Sequence, residues 1–232
     1  MGKLAIIISG IHGNSSACRG IYVAYRLGYD PIIVVAPPDS FDYPKEASLF
    51  CSPILYHERS VLERQIRART SVNEASSGQE LLRIIEEQAG CLREQLFVYI
   101  SVHGDSSGEF LKFKKDEGTE PIPATPFREA IDKIRYSQRF VLGSMCSGQT
   151  FLELTVLQQP RTVAVSSLGA GEAQALSKFN PYFLDRCLEG LTIREAYEAA
   201  RAYVNETNDS MHNKPRTPFY RLSEGADPNL TL

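Results

Sequence analysis

The chain has 232 residues, of which 43% are hydrophobic and 23% charged, an ordinary composition for a globular protein with a sizeable core. Its formal net charge of -3 argues against a general binder of nucleic acids or of anionic membranes. No run of apolar residues is long enough for a transmembrane helix. We therefore expect a single domain over residues 1–232, with neither a nucleic-acid nor a membrane partner.

Predicted strands and helices alternate along the first part of the chain. An apolar strand at residues 4–9 leads through a glycine-containing loop into a helix, which Ser15 or Ser16 can cap and Gly28 ends. A second strand at 31–36 completes a β-α-β unit, so these two strands should be parallel. Beyond a proline-broken stretch we predict helices at residues 58–69 and 76–88.

The alternation continues to the end of the chain. One apolar strand at residues 96–102 ends directly at His103, and another at 140–142 leads to Cys146. The remaining predicted elements are strands at 109–113, 161–166 and 217–222, a helix starting at Thr125-Pro126 with Pro126 in the first helical position and running to 136, and helices at 149–157, 181–188 and 192–205. This pattern predicts an α/β fold: one doubly wound, mostly parallel sheet of about five to six strands with helices on both faces.

His103 and Cys146 each follow a buried strand, and this shared position is the main functional signal. The carboxyl ends of parallel strands meet at one edge of the sheet, which is where such sheets bind ligands. Imidazole is the usual base for a thiol nucleophile, and a helix start lowers the pKa of a nearby thiol. Taken singly, each residue is more often structural. The matched positions favour a catalytic pair.

Two neighbouring features bear on the same chemistry. The backbone amides of Gly104 and Cys146 are candidate donors to an oxyanion, because glycine lets the backbone approach a ligand closely. Asp105 has two possible uses: it orients His103, or it caps the loop that follows.

Other chemistries have weaker support. The loop SGIHGNSS lacks the glycine patterns of nucleotide-binding loops, and no GxSxG motif indicates a serine hydrolase. The five cysteines are far apart and odd in number, and no Cys or His cluster has the spacing of a zinc site. We therefore expect reduced thiols, no metal and no cofactor.

Several blocks of the sequence resemble the clan CD cysteine peptidases, and within them the legumain-like family, which is related to the catalytic subunit of the GPI transamidase. The blocks cover roughly residues 76–222. In chain order they are VYISVHGDSSGEFLKF, VLGSMCSGQTF, RTVAVSSLGAGEAQA, and the C-terminal run from KFNPYFLDRCLEGL to RTPFY.

The resemblance implies a caspase-like fold and a peptidase with a Cys-His dyad. Cys146 would be the nucleophile, His103 the general base and acid, and Gly104 with Cys146 the oxyanion donors. The pocket for the P1 side chain, which precedes the bond to be cleaved, would contain residues from two loops: His12, Arg19, Ser166, Ser167 and Glu172.

The expected substrate is a peptide or protein cleaved after Asn or Asp. An acidic P1 residue would use Arg19, whereas the family's preference is for Asn. The sequence departs from the family pattern at Asp105, Ser144 and Ser147, which leaves the P1 preference open. Signal or anchor segments of related proteins have no counterpart in this sequence, so a cytoplasmic location is expected. Two alternatives remain: a transpeptidase that uses the same acyl-enzyme, and a catalytically silent caspase-like binding module.

Overall fold

The fold is built around one seven-stranded sheet and a smaller three-stranded sheet. The computed structural model describes residues 2–10, 14–38, 56–105, 107–112, 121–167, 179–207 and 218–232. In chain order the strands are β1 (Lys3–Ser9), β2 (Ile32–Ala36), β3 (Thr70–Glu74), β4 (Arg93–Ser101), β5 (His103–Gly104), β6 (Phe110–Lys112), β7 (Ile122–Pro123), β8 (Tyr136–Ser144), β9 (Thr162–Ser166) and β10 (Phe219–Leu222). The described helices are α1 (Asn14–Arg26), α2 (Tyr56–Arg69), α3 (Gly78–Glu86), α4 (Ala124–Asp132), α5 (Gly148–Thr155), α6 (Phe179–Leu188) and α7 (Ile193–Glu206).

The large sheet has the strand order β10-β9-β8-β4-β1-β2-β3. Among its described strands β10 alone runs antiparallel to its neighbour, and it lies at an edge. The predicted doubly wound, mostly parallel α/β fold is thus confirmed, and the arrangement is consistent with a caspase-like fold. The sheet has more strands than expected because β3, which was not predicted, pairs with β2 and forms the largely exposed edge opposite β10.

Helices cover both faces of the large sheet because alternate strand residues point to opposite sides. On one face, α1, α2, α6 and α7 pack over a core that includes Phe97, Tyr99 and Phe140. The Phe97 and Phe140 rings stack across β4 and β8 with centroids 5.4 Å apart. On the other face, α3, α4 and α5 pack over a core that includes Val98 and Val141.

Arg139 of β8 is a fully buried cation within this framework. Its guanidinium donates to the Thr162 hydroxyl at 3.1 Å and to the Val156 carbonyl at 2.9 Å, and it pairs with Asp132 at 3.2 Å. Burial lowers the pKa of Arg139, while the neighbouring Tyr136 and Asp132 counteract that effect. The arginine therefore ties the end of α4 to β8, β9 and the end of α5.

The predicted ends of two helices need correction. Helix α1 already begins at Asn14, so Ser15 and Ser16 lie within it and do not precede it as caps. Helix α4 begins at Ala124, so Pro126 is not its first residue, and it ends at Asp132 because strand β8 already begins at Tyr136. The cap of α7 agrees with the sequence: Thr192 and Glu195 form a reciprocal capping box. No described helix is both long and apolar enough to cross a bilayer.

Candidate active site

His103 and Cys146 each lie two residues beyond the carboxyl end of one of two neighbouring strands. Strands β4 and β8 are parallel, and Ser101 stands opposite Ser144 at their carboxyl ends. His103 follows Ser101 by two residues, and Cys146 follows Ser144 by two residues. Both side chains are half-buried. The fold therefore brings the histidine and the cysteine to the same edge of the sheet, as the strand pattern predicted.

The backbones of the two loops touch at Gly104. A Cβ atom on Gly104 would overlap the carbonyl oxygen of Cys146 and would lie 3.1 Å from its carbonyl carbon. A second contact involves Gly108, whose φ is +75°: a Cβ atom there would lie 2.6 Å from the Cβ of Thr150 and 3.1 Å from the Ser147 carbonyl oxygen. Glycine at both positions allows the loop that follows His103 (the histidine loop) to lie directly on the turn that contains Cys146 (the cysteine loop).

The pairing of β5 with β6 determines the direction in which the Gly104 N–H points. Gly104 lies opposite Leu111, and in the next pair the Asp105 N–H donates to the Phe110 carbonyl at 3.3 Å. Hydrogen-bonded and non-hydrogen-bonded pairs alternate along an antiparallel ladder. The Gly104 N–H therefore points away from β6, and it is a candidate donor beside Cys146.

Cys146 lies in a sharp turn between strand β8 and helix α5. Ser147 has left-handed backbone angles, φ 49° and ψ 33°, and α5 begins at the next residue, Gly148. Left-handed angles are costly for a residue with a side chain, and such residues concentrate at functional sites. The turn places Cys146 at the amino end of a helix with no acidic residue in its first turn, where negative charge is favoured.

A row of buried serines underlies this edge. Ser9, Ser101 and Ser144 stand opposite one another across β1, β4 and β8. Ser166 pairs with Gly143, so the next residue of that chain segment, Ser167, continues the row. Each of these four serines is at most 8% exposed. These four residues (the serine row: Ser9, Ser101, Ser144 and Ser167) therefore place short, uncharged polar side chains at the sheet edge that His103 and Cys146 follow.

The Asp105 carboxylate caps the loop that follows it. Its Oδ1 accepts from the Phe110 N–H at 3.1 Å, and its Oδ2 accepts from the Ser107 N–H at 3.2 Å and from the Ser107 hydroxyl. Burial by itself raises the pKa of Asp105, but hydrogen bonds from Ser107, Phe110 and Gly108 outweigh it and hold that pKa below the usual range. Of the two uses predicted for Asp105, the loop cap is the one observed.

The predicted substrate-binding residues are not all brought together. Arg19 of α1 pairs with Asp185 of α6, so its charge is neutralised within the helix layer. Ser166 is fully buried under the start of α5, where a Cβ atom on Gly148 would overlap its hydroxyl. Ser167 joins the serine row, whereas His12 and Glu172 lie outside the described residues.

Sequence reasoning missed most of the serine row and the contact made by Gly108. A signal for the row was present, because serines lie within two residues of the ends of four predicted strands, in the runs IIIS, YIS, LGS and AVSS. The contact at Gly108 had no local signal, since it depends on how two distant loops pack.

Cys146 differs from the other described cysteines in its position. Cys18 and Cys187 are buried in the helix-covered core, and burial raises the pKa of Cys187. Cys91 is exposed but lies between α3 and β4, away from the carboxyl edge. Within the described ranges, no group of His, Cys, Asp and Glu could hold a metal ion.

Comparison of the sequence with known proteins gives no match, either among protein-family models or among curated proteins. The chemistry of this site therefore has to be argued from its geometry.

Proposed function

We propose that the chain is a cysteine endopeptidase in which Cys146 is the nucleophile and His103 the general base and acid. The observation that carries this proposal is the shared register of the two residues, each two positions beyond the Ser101–Ser144 pair. A thiol and an imidazole at one sheet edge, next to a helix start, are the components that thiol acyl transfer requires.

The reaction has two halves. His103 takes the thiol proton while the Cys146 sulfur attacks the carbonyl carbon of the peptide bond, and the C–N bond then breaks as His103 returns the proton to the leaving amine. In the second half His103 removes a proton from water, and the resulting hydroxide attacks the thioester. The peptide acid leaves, and the proton restores the Cys146 thiol.

Two backbone amides support the oxyanion that forms in each half. The Gly104 N–H points away from its own ladder and lies beside the Cys146 backbone. The Cys146 N–H lies at the start of the turn into α5. Removing one good oxyanion donor costs about 3 kcal/mol of transition-state stabilisation.

The charge of the site favours a P1 residue that is uncharged and polar, so we propose Asn over Asp. Hydroxyl groups of the serine row both donate and accept hydrogen bonds, as a carboxamide needs. An acidic P1 side chain would need a cation, and the Arg19 guanidinium is already paired with Asp185. The five widely separated cysteines favour a reducing, cytoplasmic location for such an enzyme.

The test is cleavage of a fluorogenic peptide panel varied at P1, with Cys146→Ala and His103→Ala as variants. The matched control is Cys91→Ala, which removes an exposed thiol far from the site. We expect each site variant to lower kcat by about 10³-fold or more, and the control to match the wild type.

Full activity in Cys146→Ala would overturn the proposal. So would a wild-type chain that shows no turnover and no preferential labelling of Cys146 over Cys91 by iodoacetamide. That second result would favour a binding module.

A further inference from the structure

The loop between β5 and β6 is closed by a single carboxylate. Oδ1 of Asp105 accepts from the Phe110 N–H, and Oδ2 accepts from the N–H and the hydroxyl of Ser107. The Ser107 hydroxyl oxygen in turn accepts from the Glu109 N–H at 3.2 Å. On the backbone, the Gly108 N–H donates to the Asp105 carbonyl at 3.3 Å. Four consecutive amides, those of residues 107 to 110, thus depend directly or through Ser107 on one residue.

This carboxylate stands between the two glycines that touch the cysteine loop. Gly104, immediately before Asp105, presses on the Cys146 carbonyl. Gly108, on the other side, presses on Thr150 and on the Ser147 carbonyl. The loop that follows His103 therefore contacts the loop of Cys146 at two positions, and a side chain at either position would overlap it.

We propose that Asp105 is a positioning residue. By capping its loop it holds the histidine loop against the cysteine loop, and it thereby fixes the Gly104 N–H where it can donate to the oxyanion. The inference rests on the proposed function, since it gives Asp105 a part in peptide cleavage through Gly104. Both carboxylate oxygens of Asp105 are engaged inside the loop.

The sequence around Asp105 fits this role better than a role in stability alone. A carboxylate that only capped a surface turn would not need glycines on both sides packed against another loop. Here one close contact, at Gly104, directly precedes the cap, and the other, at Gly108, lies between Asp105 and Phe110, the two ends of the cap. Because its pKa is lowered, the Asp105 carboxyl group is charged at neutral pH.

The experiment compares Asp105→Asn with Glu109→Gln. Both changes convert a carboxylate to an amide in the same loop, but the Glu109 side chain is exposed and Asp105 is the cap. In Asp105→Asn an NH2 group replaces one acceptor oxygen, so one of the loop N–H donors faces another donor.

For Asp105→Asn we expect kcat to fall by about 10- to 100-fold, the size of effect that a misplaced catalytic group produces. KM should stay within about twofold, because ground-state binding is not the interaction removed. The rate at which iodoacetamide alkylates Cys146 should be unchanged, since alkylation forms no oxyanion. Glu109→Gln should match the wild type in all three measurements.

Ser107→Ala provides a graded test, because it removes the hydroxyl but leaves both backbone donors to Asp105. Its kcat should lie between those of the wild type and Asp105→Asn.

Two results would overturn the role of Asp105 in an active enzyme. One is a kcat for Asp105→Asn equal to that of Glu109→Gln. The other is an equal loss of kcat, of alkylation rate and of thermal stability, which would indicate a folding role only. Failure of the proposed function looks different: the wild type itself would show no turnover, and the assignment of Asp105 would fall with it.

Discussion

Gly104 and Cys146 lie so close that no side chain fits on Gly104, because a Cβ atom there would overlap the Cys146 carbonyl oxygen. The contact joins the ends of two neighbouring strands, β4 and β8, through their following loops. The positions of His103 and Cys146 relative to each other are therefore set by backbone packing, which is stiffer than contact between long side chains.

Gly104→Ala should lower kcat/KM by about 100-fold or more, because the new methyl group must displace the Cys146 backbone. The matched control is Gly2→Ala, where a Cβ atom would lie 3.7 Å from its nearest neighbour. Peptide cleavage and Cys146 alkylation are the measurements. Wild-type activity in Gly104→Ala would contradict the contact.

Arg19→Ala should leave the preference for an uncharged P1 residue intact, because Arg19 is paired with Asp185 and not with substrate. Being partly exposed, the pair contributes only about 0–1 kcal/mol to stability. Asp185→Asn should instead raise kcat/KM for peptides with Asp at P1, since it leaves the Arg19 guanidinium without its carboxylate partner. The P1 panel measures both, and a loss of Asn cleavage in Arg19→Ala would place Arg19 in the pocket.

Gly148 and Ser166 should be energetically coupled. Gly148→Ala introduces a Cβ atom that overlaps the Ser166 hydroxyl, and such overpacking costs about 1–3 kcal/mol of unfolding free energy. Removing that hydroxyl in the double variant Gly148→Ala/Ser166→Ala should restore about 1 kcal/mol. Urea unfolding of the wild type, both single variants and the double variant measures the coupling, and strict additivity would refute it.

The cap of α7 should make stability depend on acidic pH. The Thr192 backbone N–H and then its hydroxyl donate to Glu195 and lower its pKa from the ordinary 4.5. A carboxyl group with a lowered pKa in the folded state stabilises the fold fully above its ordinary value, and this contribution disappears as the pH falls through the folded value. Glu195→Gln should therefore flatten the acidic limb of a stability–pH curve. Glu206→Gln, at the other end of the same helix, is the control, and an identical acidic limb in both variants would contradict the prediction.

Much of the sheet was predictable because its inner strands are buried on both faces and so appear as apolar runs. Strand β3, with the sequence TSVNE, has no such run, since it pairs with β2 at a largely exposed edge. The two-residue strands β5 and β7 are too short for any pattern to mark them. Arg139 directly precedes the predicted strand at 140–142, and only the fold shows that Asp132 and two other acceptors allow its charge to be buried.

The candidate site, too, was only partly predictable from the sequence. His103 and Cys146 could be located because a residue that ends a parallel strand must lie at the carboxyl edge. The neutralisation of Arg19 could not be predicted, because its partner, Asp185, lies 166 residues away on a different helix. The role of Asp105 remained open until the hydrogen bonds of its loop were known.

The order of strands in the sheet has a consequence for the chain as it leaves the ribosome. Strands β1 to β4 form one contiguous half of the sheet, with β4 at its border, and β8, β9 and β10 then add outward from β4. The strand that precedes His103 is thus an unpaired edge until the strand that precedes Cys146 has been synthesised, and an exposed apolar edge invites aggregation. During synthesis, therefore, the pairing that protects the nascent protein is the same pairing that brings Cys146 to the sheet edge where His103 lies.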